Sequence, residues 1–303
     1  LDELLESLTQ QREKNFEVVV VEDGSVRDSR GVVEKYAAVL SLRYVVRPNG
    51  GPAAARNTGI AHANGDYFVF FDSDCIVPPE YFGVVRSALA RDGWEAYGGP
   101  ERAMDTFSVF QRATSYTMTA LLTTGGIRGG KRRVGAYQPR SYNMGMSRGA
   151  AERSGGFDPS FRFGEDVDLS LRLYALGCKV GLINEAFVYH KRRTGPGAFF
   201  RQLSQFARGR VAVARRHPGS LKPTHFFPTA FALFTISLPF WFGMDDAAGW
   251  LATGMWASYL TAVGMGAALT YRSWAVGLVA PLAALIQMFG YGSGFVRAWW
   301  LKK

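Results

Sequence analysis

At 303 residues, 48% of them hydrophobic, the chain has room for one large or two small domains and enough apolar material for a sizeable core. Its net charge of +10 is concentrated: eight Lys and Arg lie between positions 191 and 216, and no acidic residue occurs from 186 to 244. Such a block suits nucleic acid, anionic lipid or phosphorylated substrate. No zinc finger, RNA-recognition motif or helix-turn-helix accompanies it, and apolar segments follow, so the reading is membrane surface and no nucleic acid. Cys75 and Cys178 supply neither a disulfide framework nor metal-type spacing, which predicts reduced thiols in a cytosolic catalytic region.

In chain order, residues 1–11 predict an amphipathic helix with Leu4, Leu5 and Leu8 on one face. Residues 16–21 predict a buried strand closed by the turn Glu22-Asp23-Gly24-Ser25. A helix over 29–40 and a short strand over 43–46 follow. The loop Pro48-Asn49-Gly50-Gly51-Pro52 then leads into a helix from Ala53. A glycine-rich loop before a helix either presents free N–H groups to an anion or merely turns the chain. Arg56, just inside that helix, could add a charge-assisted bond to a diphosphate.

Residues 66–71 read as a fully buried strand, which stops at Asp72-Ser73-Asp74. Carboxylates at i and i+2 of extended chain point the same way and can reach one hard cation such as Mg²⁺ or Mn²⁺. Taken alone, an acidic turn is the plainer explanation. The alternation of strands and helices predicts an α/β fold with a doubly wound, mostly parallel sheet, whose ligands bind beyond the carboxyl ends of the strands.

Further helices are expected over 79–89, 107–122 (covering the sheet) and 149–153, with strands over 94–97 and 142–146. Residues 125–140, with five glycines and five Lys or Arg, read equally as a closing loop over a ligand or a plain solvated one. Gly164-Glu165-Asp166 opens an amphipathic helix carrying Leu169, Leu173 and Leu176, where an isolated Asp166 would be read as first-turn charge. Residues 179–183 and 186–189 predict paired short strands ending at His190. A basic helix over 197–216 carries Gln205 and Arg208.

The stretches 226–242, 250–270 and 274–291 are uncharged, apolar and of spanning or near-spanning length, with Trp241, Trp250, Trp274, Trp299 and Trp300 near their ends. The basic block ahead of them predicts a cytoplasmic catalytic side. The glycine-rich tract 291–294 would let the last segment bend back or lie along the interface.

Val-Glu-Asp-Gly-Ser at 21–25, Ala-Arg-Asn-Thr-Gly at 55–59, Asp-Ser-Asp at 72–74 and Glu-Asp at 165–166 together resemble the ordered landmarks of family 2 glycosyltransferases. The resemblance, over roughly residues 16–208, implies an A-type nucleotide-sugar-binding fold. Glu22, Asp23, Ser25, Arg56 and Asp72 would hold the donor, and Asp74 and His190 a divalent Mn²⁺ or Mg²⁺. Asp166 would be the general base beside Glu165. Gln205 and Arg208 match part of the Gln-x-x-Arg-Trp motif of processive synthases, but Gly209 replaces the Trp, which argues against processivity.

Two further departures stand out: Glu22 replaces the usual Asp, and the family's first apolar strand is missing, so a natural N-terminus beyond residue 1 is expected. The expected organisation is a catalytic domain over 1–194, an interfacial basic helix over 195–224 and about three transmembrane helices over 225–303. The expected function is an inverting transferase of the cytoplasmic membrane that moves a sugar, expected from UDP, to a lipid-linked glycan hydroxyl. The alternatives are a polyprenyl-phosphate glycosyltransferase, a processive synthase and an inactive assembly subunit.

Overall fold

The computed structural model describes residues 1–126 and 137–300, so most of the expected closing loop at 125–140 lies outside the described residues. The chain divides into two compact units. One comprises Leu1–Arg102 and the return segment ending at His190; the other takes the chain from Ala103 and again from Lys191 onward.

The first unit is α/β. Helix α1 (Asp2–Thr9) buries Leu4, Leu5 and Leu8, the face its apolar spacing predicts. Strand β1 (Val18–Asp23) pairs in parallel with β2 (Leu42–Arg47), joined through the five-residue helix α2 (Arg30–Glu34), much shorter than the helix expected there. Helix α3 (Pro52–His62) begins on Gly51, whose φ of 86° lets the chain turn sharply into Pro52. A four-stranded sheet has the order β3 (Tyr67–Phe71), β7 (Asn143–Ser147), β5 (Ala96–Gly98) and β8 (Val180–Leu182). A small third sheet has the order β4 (Cys75–Ile76), β9 (Val188–His190) and β6 (Glu101–Arg102). Helix α4 (Tyr81–Asp92) packs Tyr81, Val85 and Ala88 into the first core, and α7 (Arg148–Ser154) and α8 (Glu165–Ala175) contribute to the second.

The sheets are mixed. β1–β2, β5–β8 and β6–β9 run parallel, whereas β3–β7, β5–β7 and β4–β9 run antiparallel. Strand β7 is reached only after the chain has left for the second unit, so the βαβ crossover that imposes parallel pairing does not govern it. β8 and β9, expected to pair with each other, instead join different sheets. The full burial expected of β3 is not found either: Phe68 is buried, and its four strand neighbours are half-buried. Its edge away from β7 has no strand partner among the described residues, because β1 and β3 belong to separate sheets.

The second unit is helical: α5 (Val109–Thr119), α6 (Leu121–Thr124), α9 (Pro196–Arg216), α10 (Phe227–Met244), α11 (Asp246–Tyr271) and α12 (Trp274–Trp300). Residues 103–124, inside the stretch expected to be catalytic and to cover the sheet, therefore belong with the C-terminal helices. The reason is packing: Ala113 of α5 shares a core with Val263 and Ala267 of α11 and with Val276 and Ala280 of α12. α10 and α12 are long and apolar enough to cross a membrane by length and composition. The glycine-rich tract at 291–294 does not bend the chain, since α12 runs through it unbroken.

Candidate active site

The site is built where strand ends meet helix starts. At the end of β1, the buried Glu22 carboxylate accepts from Ser25 N (3.0 Å), Ser29 N (3.2 Å) and Ser29 Oγ (2.6 Å). The serine hydrogen bonds at Ser25 and Ser29 outweigh the opposing effect of burial and lower its pKa to about 2. Glu22 thus closes its own turn, for which the longer side chain is suited. Ser25, expected to contact the donor, is exposed on that turn.

The Asp23 carboxylate accepts from Gly50 N and Gly51 N, the latter at 2.7 Å, and pairs with Arg47 Nε at 2.9 Å. The glycine-loop N–H groups considered above as anion donors are therefore occupied by Asp23, which fixes the entry to α3.

One turn into α3, the Arg56 guanidinium spans two carboxylates. Nη2 donates to Asp72 Oδ1 at 3.0 Å and Nη1 to Glu165 Oε1 at 2.7 Å. The group lies over the Phe157 ring at 5.4 Å. Burial disfavours its charge, but Asp72, Glu165 and Asp166 together hold its pKa above the usual value. This single side chain ties the acidic turn after β3 to the start of α8. Its Nη1 and Nη2 hydrogen bonds both go to these carboxylates. Next to it, Asn57 donates to Phe157 O (2.7 Å) and accepts from Phe157 N (2.9 Å), locking the Gly155-Gly156-Phe157 turn onto α3. A Cβ at Gly156 would stand 2.7 Å from Asn57 Oδ1, so this docking requires glycine.

Asp166 lies in the first turn of α8. Its Oδ1 accepts from Val167 N at 2.8 Å and stands 3.7 Å from Arg140 Nη1, and its Oδ2 accepts from Ser141 N at 3.4 Å. Glu165 is buried; burial raises its pKa, the Asp166 charge adds to that, and Arg56 opposes both. Asp168 is buried too and receives Arg172 at 2.8 Å, while the same guanidinium donates to Ser154 O and, at 2.8 Å, to Gly156 O. That carboxylate is a structural anchor for the turn before α8.

Two residues beyond Asp72, Asp74 Oδ1 lies 3.2 Å from His190 Nε2, and His190 Nδ1 lies 2.8 Å from Glu101 Oε2. The imidazole stacks on Tyr142 with ring centroids 5.0 Å apart. Asp74, Cys75 and His190 offer ligand atoms within 4.8 Å of one another.

The donors suit a divalent ion in part. Adjacent ligands about 2.1 Å from an octahedral ion stand about 3 Å apart, close to the Asp74–His190 separation. Carboxylate and imidazole fit Mn²⁺, and the carboxylate alone suits Mg²⁺. Cys75 fits neither as a thiolate: it is buried and its Sγ donates to Tyr142 O at 3.5 Å. Asp74 and His190 are the pair that would hold the ion.

The structure thus links Arg56, Asp72 and Glu165 directly, with Asp166 next to Glu165 in the chain, Asp74 two residues past Asp72 and His190 reaching Asp74 from the end of β9. Gln205 and Arg208 lie on α9 of the second unit, half-buried and exposed respectively. Sequence reasoning missed Glu101 and Arg140. Neither sits in a motif; a carboxylate directly after Gly98-Gly99-Pro100 and an arginine after a proline read as loop residues.

The glycosyl transferase family 2 model matches residues 1–136. The succinoglycan biosynthesis protein ExoA of Rhizobium meliloti (strain 1021) is 27% identical over 293 residues, covering 93% of this chain and 86% of that protein. The chondroitin synthase of Escherichia coli is 24% identical over 212 residues, spanning 60% of this chain but 31% of that longer protein. Among solved structures, the mannosyltransferase PcManGT from Pyrobaculum calidifontis, in complex with GDP-Man and Mn²⁺, superposes with a TM-score of 0.56 at 21% identity. That alignment covers 100% of this chain and 84% of that one, a likeness of fold. The N-terminal part of the chain is thus similar to the glycosyl transferase family 2 model, and nearly the whole chain is similar to ExoA.

Proposed function

We propose that the protein is an inverting glycosyltransferase of the cytoplasmic membrane that moves a sugar from a nucleotide-sugar donor to a hydroxyl of a lipid-linked glycan. The observation that carries this reading is the Arg56 bridge, which ties the acidic turn at Asp72 to Glu165, the neighbour of Asp166. A donor side and an acceptor-side base are thereby joined by one buried guanidinium.

In this reading Asp166 removes the proton from the acceptor hydroxyl as its oxygen attacks the anomeric carbon. The bond from that carbon to the diphosphate oxygen breaks on the opposite face, and the configuration inverts. A positioned carboxylate base contributes about 10²–10⁴-fold. Buried Glu165 and Arg56 hold the first turn of α8, and Arg140 and Ser141 orient the Asp166 carboxylate. A divalent ion held by Asp74 and His190 would offset the charge of the departing diphosphate. Asp23 and Glu22 shape the donor side by fixing the loops at Gly50 and Ser25.

The donor is proposed to be a UDP-sugar, as the family resemblance implies. The GDP-Man complex of PcManGT makes GDP-mannose the second donor to try. The name of ExoA supports an acceptor in polysaccharide synthesis. The apolar α10 and α12, with the basic α9 ahead of them, support a multi-pass anchor whose catalytic side faces the cytoplasm.

The test is a panel of UDP- and GDP-sugars with Mn²⁺ or Mg²⁺, scoring release of nucleoside diphosphate by the purified full chain and by Asp166→Asn. Retained donor binding with transfer reduced at least 10²-fold is expected. A variant that keeps most of its activity points instead to an acceptor that is already ionised, such as polyprenyl phosphate. A wild-type chain that binds donor without turnover would indicate an assembly subunit.

A further inference from the structure

The three-stranded sheet β4–β9–β6 is too small to add much core, yet it sets three functional groups in a row. β4 pairs antiparallel with β9, with Cys75 opposite His190, so Asp74 stands just before that rung. β6 pairs with β9 on its other edge, with Glu101 opposite Val188, two residues before His190 on the same face. The outcome is the line Asp74, His190, Glu101, with separations of 3.2 Å and 2.8 Å.

The Glu101 side chain is 1% exposed. A carboxylate buried that deeply is costly unless it is paired, and it is paired with the imidazole Nδ1. The Tyr142 ring limits rotation of the imidazole from its flat side. With Nδ1–H donated to Glu101, Nε2 presents its lone pair toward Asp74, so both ligand atoms aim at one point.

We propose that Glu101 is a positioning residue for divalent-ion binding, fixing the tautomer and orientation of His190 so that Nε2 and Asp74 act as a ready-made pair. This rests on the reading of Asp74 and His190 as the ligands. Outer-shell carboxylates behind a ligating histidine typically alter metal affinity 10–100-fold.

The test is Mn²⁺ binding to the full chain in detergent, followed by the EPR signal of the free ion, so that activity is not needed. Glu101→Gln is expected to weaken Mn²⁺ binding at least 10-fold. In a His190→Ala background the same change is expected to have no further effect, because Glu101 acts through the imidazole. An equal loss in that background would show a mere charge effect and overturn the proposal. So would wild-type affinity in Glu101→Gln when Asp74→Asn loses binding. Unchanged affinity in Asp74→Asn as well would overturn the ligand reading, and the proposal with it. Should Glu101→Gln fail to fold by circular dichroism, Glu101→Asp, which keeps the charge but shortens the reach, carries the same comparison.

Discussion

Glu22, expected from its motif to help hold the donor, also has an architectural part in its own turn. Its carboxylate holds the Ser25 and Ser29 groups together, and its pKa is lowered to about 2 in the folded chain. A carboxylate lowered on folding contributes stability that is fully present above its unfolded value, near 4.5, and is lost as pH falls through the folded one. Glu22→Gln should therefore cost about 1–3 kcal/mol near neutral pH, with the gap to wild type closing between roughly pH 4.5 and pH 2. Denaturant melts across that range would check it; a gap that stays constant would refute it. The residues that carried motif information, Arg56, Asp72, Glu165 and Asp166, do come together in the structure. What the motifs could not supply was the pairing itself. Nothing in the spacing of Arg56 says that its guanidinium is spent on two carboxylates 16 and 109 residues away. Glu101 was illegible for a similar reason, since its role exists only through a parallel ladder to β9.

At the scale of elements, periodicity located α1, α3, α4, α8 and α9 well, because each has a continuous apolar face or a glycine-proline start. It did worst where an element's identity depends on its neighbour. Strands β4 and β6, two residues each, are strands only because β9 runs between them. The tract at 291–294 misled because glycine in an apolar stretch signals either a bend or a close approach. Here it is close approach. A Cβ on Gly294 would stand 2.5 Å from Ser204 O of α9, and one on Gly290 would stand 3.0 Å from Phe200 O of the same helix. Small residues four apart thus form a notch that lets α9 press its backbone against α12. Gly294→Val should force the helices apart and destabilise the second unit by about 1–3 kcal/mol, read as a lower melting temperature in detergent. An unchanged melt would mean the helices do not rely on that notch.

For the molecule as a whole, the chain order and the packing order differ. Helix α5 precedes β7 in sequence but shares its core with α11 and α12. Composition marked the C-terminal helices clearly, yet gave no sign that residues 103–124 go with them, because amphipathic helices of either unit look alike. A chain stopped after Arg216 should consequently fail even though it contains every motif of the active site, since Val109, Ala113 and Tyr116 would lose their cover. Elution in the void volume on size exclusion, where the full chain runs as a discrete species in the same detergent, is the expected result; a discrete fragment with wild-type donor binding would contradict it.

The same interleaving sets a timetable for biosynthesis. A ribosome adding 5–20 residues per second finishes α5 roughly 150 residues, and so roughly 8–30 s, before α12 begins to emerge. Through that interval a sticky helical face waits in the nascent chain for a mate still unmade, and a holding chaperone or the insertion machinery is the natural custodian.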